Sequence, residues 1–396
     1  MTDTLQATQY KHLPIGVPAL TDYRSVVEVL ADPPCFPQWD GAVRTSQGVV
    51  NISLLDENSE RDWELVPSSA ALIPEMGEGP YSFAQTPLFL NPPEHTRFRG
   101  LLNDAWGGAK TAADMAPAVA DNARRLLSSA AGQDEFEFMR AVALPLSSMT
   151  LASFFGEDDP TLWVDRSVQQ AELMWGKRED LKRGAQFQEQ VWNVVQARRY
   201  SPRDDLISRM VTASRPGLAK LRLNEISTFA IQAPFPNTNV ARLLGSVAHR
   251  LSVEPELRQR LRLHPSSIPG FVSEVLRTSP PLVGVFRHTA TACSAGGNDL
   301  PAGHGLFLSF AQAHRDADRF PDPDEFRIDR GGISGQLAFG AGIHRCPATR
   351  LSLMQANVLA QVLCDLSELR MTGGGVSNYT YGLFTGPSEL HLNIGG

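Results

Sequence analysis

The chain has 396 residues, a formal net charge of −7 and 42% hydrophobic residues. This length can bury a large core, and the mild negative charge argues against a nucleic-acid-binding protein, which usually carries a basic face. No Gly/Ser tract, charge block or repeat divides the sequence, so we expect a single domain over residues 1–396.

The start of the chain, MTDTLQATQYKHLPIG, has no apolar run typical of a signal peptide, and no apolar stretch reaches membrane-spanning length. We therefore expect a soluble, cytoplasmic protein that does not bind a membrane. Up to about residue 70 the pattern favours a helix, a little sheet and irregular chain.

Helical periodicity dominates residues 93–257, where apolar residues recur every three or four positions. A long apolar helix is predicted over about residues 224–251, broken at Pro234 and Pro236 because proline lacks the backbone donor. Short strands are predicted within residues 283–310 and near residues 388–394, with a last helix from Cys346 to about Leu366. Because the predicted helices precede most of the short predicted strands along the chain, the pattern indicates a mainly α, helix-rich α+β fold.

The four cysteines lack the close spacing of a disulfide framework or a zinc site. Cys35, Cys293 and Cys364 are expected to be free, small, buried residues. The fourth, Cys346, ends the segment Phe339-Gly340-Ala341-Gly342-Ile343-His344-Arg345-Cys346. Its glycines allow a tight loop that can approach a flat ligand and turn N–H groups toward a sulfur. A helix directly after the cysteine would favour the thiolate, the form that binds metals.

Taken alone, this segment is interpreted more simply as a buried cysteine beside a Gly-rich turn. However, it resembles the haem-binding signature of the cytochrome P450 family, Phe-x-x-Gly-x-His/Arg-x-Cys. Three further segments resemble that family in the same order: Asn91–Arg99 at the start of a helix, Glu274-Val275-Leu276-Arg277 as the buried Glu-x-x-Arg helix, and residues 313–330 as the meander before the cysteine loop.

The resemblance covers roughly residues 90–394 and is weak before them. It implies a P450-like helical fold with a small β region, in which haem b lies between a long distal helix and the cysteine loop. Cys346 would be the iron ligand, and thiolate ligation favours O–O cleavage. Phe339, Gly340 and Gly342 would form the loop against the haem.

The same resemblance assigns four basic residues to the haem propionates: His95, Arg99, Arg287 and His344. Two buried carboxylates need charge-assisted partners, although each of these residues by itself could be a surface cation. Glu274, Arg277 and Arg330 would form a buried structural network behind the haem.

The sequence departs from the family pattern at two places. Pro347 follows the cysteine, so one amide donor to the sulfur is missing, which should lower the reduction potential of the iron.

The distal helix of the family usually carries an acid followed by an alcohol, and here Thr238 and Asn239 stand at those positions. A slip of one residue would put Thr238 at the alcohol position, still without the acid. An amide cannot act as an acid near neutral pH, so Thr238 and Asn239 are catalytic candidates of uncertain chemistry.

Seven residues are candidates for an apolar substrate cavity, on positions that correspond to pocket segments of the family: Tyr81, Phe83, Trp175, Ala233, Val283, Val285 and Phe384. Each alone is more typical of a protein core.

The resemblance implies a monooxygenase that uses O2 and electrons from a ferredoxin or flavodoxin-type donor to oxidise a small, largely apolar organic molecule. Two alternatives remain open. One is a haem-thiolate oxidase with atypical chemistry, driven by peroxide or coupling or rearranging a natural-product intermediate. The other is a haem carrier or sensor without turnover.

Overall fold

The computed structural model describes residues 19–38, 42–45, 48–51, 86–88, 90–174, 181–330, 335–381 and 383–395. The first strand, β1 (Ala19–Leu20), leads into α1 (Tyr23–Ala31), whose first turn is capped by the Asp22 side chain accepting from the Ser25 N–H at 2.8 Å. A hairpin of β2 (Ala42–Thr45) and β3 (Gly48–Asn51) follows.

The central part of the chain is helical, as the periodicity predicts. Its elements are α2 (Glu94–Ala105), α3 (Gly108–Ser128), the short strand β4 (Phe136–Glu137), a π-helical turn (Met139–Ala143), α4 (Leu144–Phe155), α5 (Thr161–Met174), α6 (Leu181–Tyr200), α7 (Leu206–Thr212), α8 (Leu223–Gln232), α9 (Pro234–Val253), α10 (Pro255–Leu263) and α11 (Ile268–Thr278).

The break predicted at Pro234 within the long apolar helix is confirmed, whereas the break predicted at Pro236 is wrong, because Pro236 lies in the first turn of α9, where its N–H would have no partner within the helix. The chain forms α8 up to Gln232 and begins α9 at Pro234, the first helical position, where a missing N–H costs nothing.

The last part of the chain contains the small sheet pieces. They are β5 (Gly284–His288), β6 (Cys293–Ala295), β7 (Asn298–Leu300) and β8 (Gly305–Ser309), then α12 (Phe310–Ala313), α13 (Thr349–Asp365), β9 (Arg370–Tyr381) and β10 (Phe384–Asn393). One sheet has the order β1-β8-β5, with β1 parallel and β5 antiparallel to β8, and another has the order β4-β10-β9.

Helix α9 runs through the main hydrophobic core. It packs against α4, α5, α13 and β10, and its buried side chains Leu243, Leu244, Val247 and Leu251 belong to one cluster with α11 and α13. Burial of each such side chain contributes about 1.5–3 kcal/mol. The close packing also explains Gly245, where an added Cβ would lie 2.4 Å from the Met139 sulfur. The core therefore holds α9 rigidly between the sheet and α13.

Two expectations from the sequence are wrong. Cys35 and Cys293 are not free but form a disulfide, with their Cα atoms 6.6 Å apart. The spacing argument fails because the partners are 258 residues apart and are joined by tertiary contacts, among them the Ala290 N–H donating to the Cys35 carbonyl at 2.9 Å. Helix α13 begins at Thr349 rather than at Cys346, since a turn at Pro347 precedes it. Cys364 is free and buried, as expected.

Candidate functional site

Cys346 lies at the end of a loop that requires glycine. Gly340 and Gly342 have φ angles of 68° and 65°, in the left-handed region that glycine adopts without a steric penalty. A Cβ on Gly342 would lie 2.1 Å from the Leu30 carbonyl oxygen, so the loop packs directly on the last turn of α1. The Cys346 N–H donates to the Phe339 carbonyl at 2.8 Å and closes the loop.

The sulfur of Cys346 is surrounded by groups that favour a thiolate. Burial raises the pKa of the thiol, while backbone hydrogen bonds from Ala348 and Thr349 and the charges of Arg99 and Arg345 lower it. Although Pro347 has no N–H, the next two residues, Ala348 and Thr349, both provide backbone hydrogen bonds to the sulfur. A bound metal displaces the thiol proton, so the burial that opposes a free thiolate does not oppose a metal-bound one.

Four basic side chains converge beside this loop. The rings of His95 and His344 lie 4.3 Å apart, and the His344 Nδ1 is 3.2 Å from the Pro87 carbonyl oxygen. Burial and the Arg99 charge lower the pKa of His95 to about 4. Burial and the neighbouring His95, Arg287 and Arg99 lower that of His344 to about 3. Both imidazoles are therefore neutral at pH 7 in the absence of an anion.

The unsatisfied atoms of this basic cluster fit an anionic group. The Nε2 atoms of His95 and His344 are buried without a hydrogen-bond partner among the described residues. Arg99 donates to Asn103 Oδ1 at 2.9 Å and to the Arg345 carbonyl. Arg287, 5% exposed, donates to the Phe286 carbonyl at 2.7 Å, and burial lowers its pKa to about 10.

No carboxylate of the described residues pairs with Arg99 or Arg287. The buried Arg287 cation lacks a counter-charge among the described residues, and the two imidazole nitrogens lack hydrogen-bond partners. The two propionates of a haem held by Cys346 would supply both. The donor set thus fits haem.

A carboxylate–guanidinium network lies behind the loop. Arg277 binds Glu274 through two bonds of 2.9 and 2.8 Å, and Arg330 Nε donates to the same carboxylate at 3.0 Å. The remaining donors of Arg277 reach the carbonyls of His314, Pro323 and Glu325 at 2.9, 2.7 and 3.0 Å. Because Glu274 and Arg277 are 3% and 2% exposed, this network fixes the chain that leads into the cysteine loop.

His314 connects that network to the cysteine loop. Its Nε2 accepts a hydrogen bond from the Leu337 N–H at 2.6 Å, which places the ring proton on Nδ1, and Nδ1 donates to the Arg277 carbonyl at 3.1 Å. Burial lowers the pKa of His314 to about 3. His314 lies within residues 313–330, the segment that resembles the family's meander, but no local pattern in the sequence indicates its role.

The distal helix α9 presents three polar side chains in one turn. The Thr238 hydroxyl donates to the Phe235 carbonyl at 2.8 Å and accepts from Arg242 Nη1 at 3.0 Å, whereas Asn239 Oδ1 accepts from the same nitrogen at 3.2 Å. Thr238 is 2% exposed, so its hydroxyl is turned into the protein. Arg242 is a third polar residue here, which the sequence analysis did not single out.

The candidate substrate residues have core contacts in the structure. Val283 and Phe384 are 1% and 9% exposed, and Ala233 and Val285 are partly buried beside hydrophobic clusters. Phe384 also packs edge-on against Phe235, 5.7 Å between ring centres. Three other candidates, Tyr81, Phe83 and Trp175, lie outside the described residues.

A cysteine on a glycine loop, with a basic cluster beside it and a long helix through the core, is the arrangement expected of a haem-thiolate protein. Residues 266–367 match the family model "Cytochrome P450". Cytochrome P450 107B1 of Saccharopolyspora erythraea is 30% identical to this chain over 71% of it and 70% of the relative. The chain belongs to the cytochrome P450 family.

Other matches agree in fold and family. Cytochrome P450 CYP109Q5 from Chondromyces apiculatus has a TM-score of 0.77 and 27% identity, over 95% of this chain and 89% of that structure. The erythromycin C-12 hydroxylase of S. erythraea is 30% identical over 71% of this chain and 72% of its own length. The match with cytochrome P450 144 of Mycobacterium tuberculosis, at 29% identity, spans 59% of this chain and 55% of that protein.

The mainly α fold with small β regions expected from the sequence is therefore confirmed. Among the helices that the structure describes, none is long and apolar enough to cross a membrane.

Proposed function

We propose that the protein is a monooxygenase that binds haem b through Cys346 and oxidises a small organic molecule with O2. The observation that supports this proposal is that a cysteine on a glycine loop lies beside a basic cluster with two buried imidazole nitrogens that lack a partner. A haem held by a thiolate supplies the activation of oxygen. Family membership and the hydroxylase name of a 30% identical relative support this reading.

Different residues of the chain would bind different parts of the haem. Cys346 would hold the iron, and the backbone of Ala348 and Thr349 would moderate the charge on the sulfur. Arg99, Arg287, His95 and His344 would neutralise the propionates, and the negative charges would raise the pKa of both imidazoles. Phe339, Gly340 and Gly342 would form the surface of the loop against the haem.

On the distal side, Asn239 would orient the substrate rather than deliver protons, because an amide is not an acid near neutral pH. Thr238 is the other polar candidate there, but its hydroxyl already donates to the Phe235 carbonyl. The lack of an acid at these two positions favours the second candidate function, a haem-thiolate oxidase that uses peroxide or couples or rearranges its substrate.

The substrate is proposed to be small and largely apolar, with Ala233, Val283, Val285 and Phe384 near the cavity. Tyr81, Phe83 and Trp175 complete this set on the basis of the family resemblance. The electron donor is proposed to be a ferredoxin or flavodoxin-type protein, since one-electron delivery to the haem is what a monooxygenase requires.

The first test is the spectrum of the reduced protein with carbon monoxide. The unmutated protein should show the red-shifted band of thiolate ligation, and Cys346→Ser should lose it. Cys364→Ser is the matched control, because Cys364 is also a free cysteine but lies in α13 within the hydrophobic core, and it should keep the band. Absence of the band in the unmutated protein would contradict the proposed haem-thiolate site.

The second test separates the candidate functions by turnover. Product formed with O2, reductant and a generic ferredoxin system, and absent with peroxide, supports the monooxygenase. Product formed with peroxide, and absent with O2, reductant and the ferredoxin system, supports the peroxide-driven oxidase. Binding of organic ligands without product under either condition would indicate a haem carrier or sensor.

A further inference from the structure

Arg242 is a buried arginine of the distal helix, 4% exposed. Its stem lies against the backbone of Gly386, where an added Cβ would come within 3.1 Å of the Arg242 Cβ. Its guanidinium carbon lies 5.7 Å from the centre of the Phe384 ring, a distance at which the cation and the ring attract each other. Strand β10 therefore holds the Arg242 side chain in a fixed direction along α9.

The position of Arg242 determines how the Asn239 amide is oriented. A guanidinium carries hydrogen-bond donors and no acceptor, and it stays charged in proteins. The amide atom that faces Arg242 Nη1 at 3.2 Å must therefore be the oxygen. Its NH2 group is turned away from Arg242, since the two ends of an amide point in opposite directions.

Asn239 lies on the more accessible side of the first turns of α9. Pro236 is exposed and Asn239 and Val240 are half-buried, whereas Asn237, Thr238 and Ala241 are buried. Residues at this three- and four-residue spacing share one face of a helix. No described residue accepts a hydrogen bond from Asn239 Nδ2.

We propose that Arg242 is a positioning residue that fixes Asn239 as a hydrogen-bond donor toward the substrate cavity. The cavity then recognises a substrate with an acceptor, such as a carbonyl, ether or hydroxyl oxygen, next to the oxidised position. A substrate lacking that acceptor leaves the buried amide unpaired, which weakens its binding. This inference rests on the proposed function, because it takes the cavity to be the distal side of the haem.

Carbon monoxide bound to the reduced haem is the probe that tests the amide orientation. Its C–O stretching frequency falls when a hydrogen-bond donor faces it and rises when a lone pair does. The test compares the unmutated protein with four variants: Asn239→Leu, Arg242→Met, Arg242→Lys, and a double variant that combines Asn239→Leu and Arg242→Met. Arg250→Met is the matched control: Arg250 is on the same helix, and its ion pair with Glu254, at 2.7 Å, lies away from Asn239.

The unmutated protein should give one band, lower in frequency than that of Asn239→Leu. Arg242→Met should add a band at higher frequency, because the amide can then turn its oxygen to the cavity. Arg242→Lys keeps a donor-only side chain and should restore the single low band. In the Asn239→Leu background, Arg242→Met should cause no further change, and Arg250→Met should leave the band in place.

Two results overturn the inference while leaving the proposed function intact. One is an unchanged single band in Arg242→Met, which would show that the amide needs no such support. The other is an Asn239→Leu band at the unmutated frequency, which would show that the amide does not face the cavity. Failure of the unmutated protein to form a thiolate-type carbonyl complex would instead reject the proposed function itself, and the inference with it.

Discussion

The two sides of the proposed haem site are constructed differently. On the cysteine side, Glu274 and Arg277 are paired and nearly every donor of Arg277 has a described acceptor. On the distal side, Asn239 retains an NH2 group that no described residue accepts. The Glu274–Arg277 network behind the cysteine loop thus matches the family pattern through interactions complete among the described residues, while the distal side departs from the pattern and leaves a donor for a ligand.

This difference suggests which part of the molecule sets stability and which sets specificity. A buried network that is fully satisfied tolerates little change, because loss of one member leaves another unpaired. Replacing a residue whose donor is unpaired should change the stability of the free protein little. It should weaken the binding of a ligand that accepts a hydrogen bond from that donor. The four predictions below test this contrast.

The largest effect is expected for Glu274→Gln. The substitution leaves the buried Arg277 and its neighbour Arg330 without a carboxylate, and breaking such a pair costs about 3–5 kcal/mol. Denaturant unfolding of the haem-loaded protein measures the loss. The control is Glu28→Gln, whose partner Arg24 is 89% exposed, and it should cost less than about 1 kcal/mol. Equal losses in the two variants would show that the network is not a determinant of stability.

The next effect concerns pH. His95 and His344 have pKa values of about 4 and about 3 in the fold against 6.5 in the unfolded chain. Below pH 6.5 the unfolded state therefore binds protons that the folded state does not, so stability is lost as the pH falls toward 4.

Thermal unfolding from pH 7 to 4.5 should show this loss in haem-free protein and a smaller loss in haem-loaded protein, because propionates raise both pKa values. His95→Gln should flatten the haem-free profile. Identical profiles for the two forms would contradict the placement of propionates beside these imidazoles.

A smaller effect is expected for Asn239→Ala. Loss of the amide should weaken substrate binding by about 1–3 kcal/mol, the range for an unpaired buried polar partner. It should also scatter the site of oxidation, since small misplacements are kinetically costly. A Soret titration and a product analysis measure the two effects. Unchanged affinity and product ratios, with more peroxide released, would assign the amide to oxygen activation instead.

The smallest effect is expected for Pro347→Leu, which adds one backbone donor beside the sulfur. The reduction potential of the iron should rise slightly, because Ala348 and Thr349 already provide backbone hydrogen bonds there. A spectroelectrochemical titration measures it, with an intact Soret band as the control for correct ligation. A potential equal to that of the unmutated protein would show that the added donor does not reach the sulfur.

Much of the fold could be predicted because the informative signals are local. Pro234 at the break between α8 and α9, the β5 and β8 strands and the Glu274–Arg277 pair each follow from neighbouring residues in the sequence. Glycines at 340 and 342 likewise indicate a tight loop, and the structure places both at positive φ.

The features that the sequence analysis missed depend on tertiary contacts. The Cys35–Cys293 disulfide joins residues 258 positions apart, and His314 acquires its role from the Leu337 amide. Arg242 did offer a local signal, since it lies three and four residues after Asn239 and Thr238 on the same helix face. That spacing cannot show which way the side chain runs, which the packing of Gly386 determines.

The Cys35–Cys293 disulfide also gives the polypeptide a particular covalent topology. Everything from β2 to β5 lies inside a closed ring, whereas Cys346 and α13 belong to a linear segment outside it. The ring restricts the unfolded state of the oxidised protein, so the segment that holds His95, Arg99 and Arg287 has less conformational freedom there than it would with the disulfide reduced. Cys346, the proposed iron ligand, lies outside the ring and is brought to it by the packing of its loop on α1.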